Sequence, residues 1–316
     1  MISSRFEDFD AFAATVRGVD CVMLLQNPQY REWNIDQANF AGINVQFGQV
    51  GSGNIVEGRS WSNGYLLYLP LTGTVGYLAN GSVIGKNAVA ILEPGCEFCI
   101  STKDPHNWCT IFVPTNRFIR GGDLLESSIA KSAPEMARCR VTRSNPQLAF
   151  RFLSTVRQVM KAAVNSSRFE SSPAAESAAV ELTKISHSYA MESQVDYPHK
   201  EGRPKIQRGE IVQSCRHLLE ERADDSIRVD EMATAAGVSE RTLRTAFREY
   251  FGMGPVRYLK LRQLNLVHRT LRATNPAMVS VTDALVEHGV WEFGRFASQY
   301  RHLFGELPSD TLRKRR

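Results

Sequence analysis

One supersecondary unit is written twice in the last third of this 316-residue chain. The first copy runs Val229, Met232-Ala233, Gly237-Val238-Ser239, Leu243, Phe247, Phe251-Gly252 and Pro255. The second runs Val281, Gly289-Val290, Phe296, Tyr300, Phe304-Gly305 and Pro308. The offset is 52 residues up to the turn glycines (237 to 289) and 53 from Leu243 and Phe296 onward, so the second turn carries one extra residue. Apolar positions at helical spacing on both sides of a glycine turn describe a helix-turn-helix, and here it occurs in tandem. Two such units can set two recognition helices into successive major grooves of one duplex, roughly 34 Å apart. A single chain can then read what most helix-turn-helix proteins read as dimers.

In the first unit Ser239 is placed to N-cap the recognition helix, and Val229, Met232, Ala233, Val238, Leu243 and Phe247 supply its core. Arg241, Arg244 and Thr245 then fall one turn apart on the exposed side and are the expected base readers. Arg248, a turn deeper, is expected on phosphate. Arginine suits this work because its planar fork pairs bidentately with guanine. The plainer alternative is that these are ordinary surface arginines. In the second unit the exposed side offers Phe293, Gly294, Arg295, Ala297, Ser298 and Gln299. Arg295 is the strong candidate there, with Ser298 and Gln299 weaker. The first unit is therefore expected to carry most of the sequence specificity, with the second positioning on the backbone. Between them Gly254-Pro255 opens a long helix through Ala273, whose proline sits where a missing N–H costs nothing. Its apolar residues read as core, and Arg262 as a structural ion-pair residue.

Charge agrees with a nucleic-acid partner mainly through its distribution. The chain carries a net +5, and residues 206–316 hold 18 Lys and Arg against 14 Asp and Glu, or +4. Sixteen of those 18 cations are arginine. The terminal Arg313-Lys314-Arg315-Arg316 reads as a solvated tail that brushes phosphates without specificity.

The stretch Gly289-Val-Trp-Glu-Phe-Gly-Arg-Phe-Ala-Ser-Gln-Tyr-Arg-His-Leu-Phe-Gly-Glu-Leu-Pro-Ser-Asp-Thr-Leu-Arg313 resembles the signature of the AraC/XylS family of bacterial transcription regulators. Ile211 to Ala273 resembles the first half of the same domain, so the resemblance covers about residues 206–316. It implies seven helices, one of them long and joining the two reading units, with double-stranded DNA as partner and RNA polymerase as a further one. Two departures stand out. Leu285 occupies the position where the family usually has a small residue, with Ala284 one residue early, and the family's Gly-Phe appears as Gly289-Val290.

Residues 40–118 read as all-β, with apolar runs broken by glycine and asparagine and turn signals at Asn80-Gly81 and Pro94-Gly95. About seven strands are expected, at Gly42–Val50, Gly64–Leu71, Val75–Leu78, Val83–Ile84, Ala88–Leu92, Cys96–Ile100 and Trp108–Val113, forming a jelly roll or barrel. The family resemblance implies a cupin-like effector-sensing domain here. Helical periodicity follows: Leu148, Phe152, Val156, Val159-Met160 and Val164, then Ala178, Glu181-Leu182 and Ile185, with a polar break between. This reads as a helical pair packed on the barrel, with one helix pairing with its copy in a homodimer. The expected organisation is multidomain, α and β: residues 1–122 a β-rich sensor, 123–190 the helical segment, 191–207 a linker and 208–316 the DNA-binding domain.

No catalytic constellation is legible, so the chain reads as a regulator and not an enzyme, with no cofactor. Between 40 and 118 the only histidine is His106, which excludes cupin metal chemistry. Cys96, Cys99, His106 and Cys109 could ligate zinc by residue type. Residues three apart on a strand point to opposite faces, however, so buried apolar thiols are the simpler reading. The barrel is rich in rings, and an aromatic-lined cavity is the usual form of a small-ligand site. Trp61, Tyr68 and Phe98 are effector candidates, and Arg59 and Lys86 could neutralise an acidic effector. The family's catabolic members imply aromatic acids or small amines. Six scattered cysteines, no signal sequence and no long apolar run suggest a cytoplasmic protein without membrane contact. The rival reading is a constitutive regulator whose amino-terminal domain only dimerises or docks a protein partner.

Overall fold

Strand β11 (His106–Pro114) shows how the amino-terminal part is layered. Trp108 and Phe112 turn into a core between two sheets, while Cys109, Ile111 and Val113 turn into a second core beneath two helices. The two-residue period of a strand buried on both sides separates them. The computed structural model describes residues 1–72, 76–85, 87–120, 138–143, 146–166, 168–192, 194–195, 208–222 and 227–314.

The larger sheet runs in the order β1 (Ile2–Phe6), β3 (Trp33–Phe40), β4 (Ile43–Val50), β11, β6 (Gly64–Pro70), β9 (Ala88–Leu92), β12 (Cys139–Arg143) and β13 (Gln194–Val195). The smaller runs β2 (Val19–Gln26), β5 (Gly53–Ser60), β10 (Glu97–Thr102), β7 (Leu78–Ala79) and β8 (Ser82–Val83). All pairings among the described residues are antiparallel. The expected barrel is not closed: the described strands form two open sheets packed face to face. The small sheet tapers to two-residue strands at one end, too short to carry the pairing round, and its other edge, β2, meets a helix instead of a strand. Strands Val19–Gln26, Trp33–Phe40 and Gly53–Ser60 add to the seven expected runs.

Helix α1 (Phe9–Ala13) closes one end of the sandwich with Phe9 and Phe12, and α2 (Thr115–Arg120) follows β11. Helices α3 (Pro146–Asn165) and α4 (Pro173–Glu192) pack together on the outer face of the large sheet, as the periodicity led us to expect. Their buried stripe is Leu148, Phe152, Val156, Val159 and Met160 on one helix and Leu182 and Ile185 on the other. Val164, expected in that stripe, faces solvent at the last turn. Most of the expected linker lies outside the described residues, as does Lys86; Gln194 and Val195 pair with β12.

Seven helices follow among the described residues: α5 (Arg208–Glu221), α6 (Val229–Ala235), α7 (Glu240–Phe251), α8 (Pro255–Ala273), α9 (Val281–Glu287), α10 (Phe293–Phe304) and α11 (Pro308–Arg313). The first unit packs against the outer face of the small sheet, and the apolar core of the second is continuous with the inter-sheet core around Phe9 and Phe12. Leu24, Ile55 and Cys99 project from the outer face into a core with Ile211, Cys215, Leu243, Phe247 and Tyr258. The long helix α8 lies along the open edge of β2. Asn265 there bonds the backbone of Leu25, and Arg269 donates to the Met23 carbonyl. Around this seam Tyr258 donates to Glu57 at 2.9 Å, Tyr250 to Asn80 at 2.9 Å, and Ser101 to the Phe251 carbonyl at 3.0 Å. His268 meets Asp10 at 2.9 Å and Arg272 pairs with Asp8.

Candidate nucleic-acid interface

The first helix-turn-helix is α6, a turn at Gly237, and α7. Gly237 takes φ +64°, a left-handed conformation glycine adopts without strain. Ser239 caps α7 by accepting from the Thr242 N–H at 3.2 Å, and Gly252 ends the helix in the left-handed region. Leu243, Ala246, Phe247, Tyr250 and Phe251 are buried, so the packing decides which face remains. That face holds Arg241, Arg244, Thr245 and Arg248, all exposed. Arg244 pairs with Glu240 at 2.7 Å, and the Thr245 hydroxyl donates back to the Arg241 carbonyl. Each keeps capacity for a base: the Thr245 oxygen can still accept, and the Arg244 guanidinium has further N–H donors.

The second unit repeats the plan with α9, Gly289 at φ +67° and α10, which ends at Gly305. The departure at Leu285 has a packing explanation. At the 52-residue offset Met232-Ala233 corresponds to Ala284-Leu285, so the large and small side chains have changed places, and all four are buried. Arg295 and Ser298 are exposed and Gln299 is half-buried; Arg295 pairs with Glu292 at 3.2 Å.

Between the two recognition helices, with α8 as floor, lies a cleft of about 1060 Å³. Seven cations line it against three acids. Arg244, Arg248, Arg295 and Gln299 reach it; Arg241, Thr245 and Ser298 do not line it. Arg257 and Lys260 on α8 line it too and are not singled out by the sequence, because a helix read as core gives no sign of which side will stay open. Lys260 sits 5.0 Å over the Phe296 ring and donates to Gln263 at 3.2 Å. Burial, reinforced by nearby Arg295, holds its ammonium below the ordinary lysine range. A polyanion at this cleft would relieve that crowding. Arg262 donates to the Leu219 carbonyl at 2.9 Å and so ties α8 to α5, a structural role, although its partner is a carbonyl and not an acid.

The effector candidates separate. A small cavity of about 40 Å³ lies between the sheets, lined by Tyr68, Phe98, His106, Trp108 and Thr110 among others. Tyr68 and Phe98 face it. Arg59 does not: it pairs across the strands with Glu97 at 2.9 Å on the outer face. Trp61 lies past the end of β5, donating to Asp20 and packing edge-on against Phe112. The Tyr68 hydroxyl is buried with no hydrogen-bond partner, and burial raises its pKa well above the ordinary phenol range. His106 Nδ1 donates to the Ser52 and Asp104 carbonyls, each at 3.1 Å, which makes Nε2 the acceptor nitrogen of the ring. Burial outweighs those two bonds and lowers its pKa to about 4. The four zinc-compatible side chains do not converge. Cys96 lies in the inter-sheet core, Cys99 faces the DNA-binding helices and Cys109 the helical pair. Among the described residues no group of three or more His, Cys, Asp or Glu could hold a metal, and no helix is long and apolar enough to cross a membrane.

Two recognition helices on one linking helix, each ended by a left-handed glycine and flanking a cation-lined cleft, define a double helix-turn-helix protein. Residues 232–314 match the family model described as a helix-turn-helix domain. Over 112 residues the chain is 38% identical to XylDLEGF operon transcriptional activator 2 of Pseudomonas putida, covering 35% of this chain and 68% of that one. It is 38% identical over 116 residues to XylDLEGF operon transcriptional activator 3 of the same species, spanning 37% of this chain and only 33% of that relative's length. A crystal structure of a probable AraC family transcriptional regulator from Rhodopseudomonas palustris CGA009 is 30% identical, covering 34% of this chain and 97% of that one, with a TM-score of 0.31. The chain belongs to the AraC/XylS family of transcription regulators.

Proposed function

We propose that the protein is a sequence-specific activator of transcription that grips one DNA duplex through two successive major grooves. One observation carries the reading: both recognition helices present open, cation-bearing faces on either side of a single cleft while the rest of the domain is docked on the sensor. Arg241, Arg244 and Thr245 read bases from α7. Arg248, Arg257 and Lys260 hold phosphates, and Arg295, Ser298 and Gln299 supply the second contact. That similar proteins are named as operon activators supports activation over repression, and with it RNA polymerase as the proposed partner. The test is binding-site selection with the full chain on fragmented genomic DNA. Paired half-sites one helical turn apart are expected; binding that is salt-sensitive yet indifferent to sequence would refute the reading.

Control by a small effector rests on the inter-sheet cavity of the cupin-like sandwich. Its apolar walls, the unpartnered Tyr68 hydroxyl and the acceptor Nε2 of His106 suit a small, largely apolar molecule with one or two hydrogen-bonding groups. At about 40 Å³ the cavity must widen to admit anything larger than a few heavy atoms. A ligand held there would act by favouring one arrangement of sheets and docked helices over another. A saturable rise in the melting temperature of the full chain with candidate ligands tests this. A second reading, in which the helical pair mediates a homodimer or protein docking, is favoured by Phe150, which stands 73% exposed on α3. Loss of dimerisation in Phe150→Ser, with no ligand response in either form, would select it.

A further inference from the structure

The extra residue of the second unit can be located. Val238 and Val290 correspond at an offset of 52, and the caps Ser239 and Glu292 at 53, so the addition is Trp291. Its side chain is 77% exposed, and Phe293, in the first turn of α10, is 39% exposed. Large rings left in water at the entrance of a recognition helix cost the free protein solubility and contribute nothing to its core. The surface around them is small and open. A side chain at Gly294 would meet nothing within 4 Å, and Ala297 and Ser298 continue that face. Gly294 is the second residue of α10, and close approach of the backbone to another molecule is a common use of glycine. From Phe293 to Phe304 the helix carries Arg295, Arg301 and His302 and no acid, and its cap Glu292 is held by Arg295.

We infer that the second unit reads DNA by apolar contact: Trp291 and Phe293 pack against thymine C5 methyl groups in the major groove, with Gly294 giving the backbone room to approach. The methyl marks A·T and T·A pairs in that groove and is recognised by apolar side chains. The apolar entrance of α10 is then a mode of reading and not a loss of it. The inference rests on the DNA-binding reading, and the cationic, acid-free helix favours a polyanion over a protein as the occupant.

The test is a titration of full-length protein on its selected site, with thymines replaced by deoxyuridine in one half-site at a time. Removing a contacted methyl should weaken wild-type binding by about threefold to tenfold in one half-site only. Trp291→Ala and Phe293→Ala should weaken binding to the thymine site similarly and make it indifferent to the replacement. Selective binding that tolerates uracil in both half-sites would overturn the inference and leave the DNA-binding reading intact. Unchanged DNA binding by both variants with a loss of transcription activation would overturn it in favour of a protein-docking patch. Absence of any site-selective binding would overturn both.

Discussion

The side-chain amide of Asn265 bonds the backbone of Leu25 in both directions: Oδ1 accepts from the Leu25 N–H at 2.9 Å, and Nδ2 donates to its carbonyl at 3.3 Å. Asn265 is 2% exposed, so water cannot substitute. A side chain of the linking helix thus stands in for a neighbouring strand. Asn265→Ala should leave both backbone groups buried and unpaired, at a cost of about 1–3 kcal/mol. Urea unfolding should show the loss, and hydrogen exchange should show the Leu25 amide opening faster than its neighbours in β5.

His106 makes stability depend on pH. The native imidazole stays neutral down to about pH 4, whereas in the unfolded chain it takes up a proton near 6.5. Only the unfolded state gains that proton between these values, so the stability present above pH 6.5 falls as pH drops and the loss is complete near 4. Its full size is about 3 kcal/mol. His106→Gln should flatten this limb, read as the difference between the two proteins' melting temperatures across the window. Parallel curves would sink the argument.

Tyr68→Phe separates packing from recognition. The hydroxyl has no partner to lose, so the variant should be as stable as the wild type or more stable by up to about 1–2 kcal/mol. Calorimetry checks this. Any effector that raises the wild-type melting temperature should do so less in the variant.

The two kinds of cation should behave differently. Arg244→Ala should cost about 1–3 kcal/mol of discrimination and relax base preference at one position, more than Ser298→Ala does. Lys260→Gln should weaken binding evenly across sequences and reduce the salt slope by about 1. Equal effects of Arg244→Ala and Ser298→Ala in site selection would place the specificity elsewhere.

The repeat was legible because its parts are local. Helical spacing, a cap at Ser239 and left-handed glycines at 237, 252, 289 and 305 each follow from neighbouring residues. The strand Val19–Gln26 was not, because α8 covers its edge and the apolar run Cys21–Leu25, buried on both faces from Met23 onward, has no alternation to betray it. Arg59 shows a subtler limit. A period of two separates the faces of β5 without saying which is inner, and Arg59 lies on the outer face opposite Glu97. Arg257 and Lys260 needed the placement of both recognition helices before α8 had an open side at all.

The helix laid along β2 also bears on solubility. A fragment ending before the DNA-binding helices would uncover Leu24, the outer face of Ile55 and the free N–H and C=O of Leu25, together a sticky sheet margin. Such margins recruit a strand from another copy and seed aggregates. The helix-turn-helix half is therefore also the sheath that keeps the β-sandwich half dispersed, and neither can be trimmed away without consequence for the other.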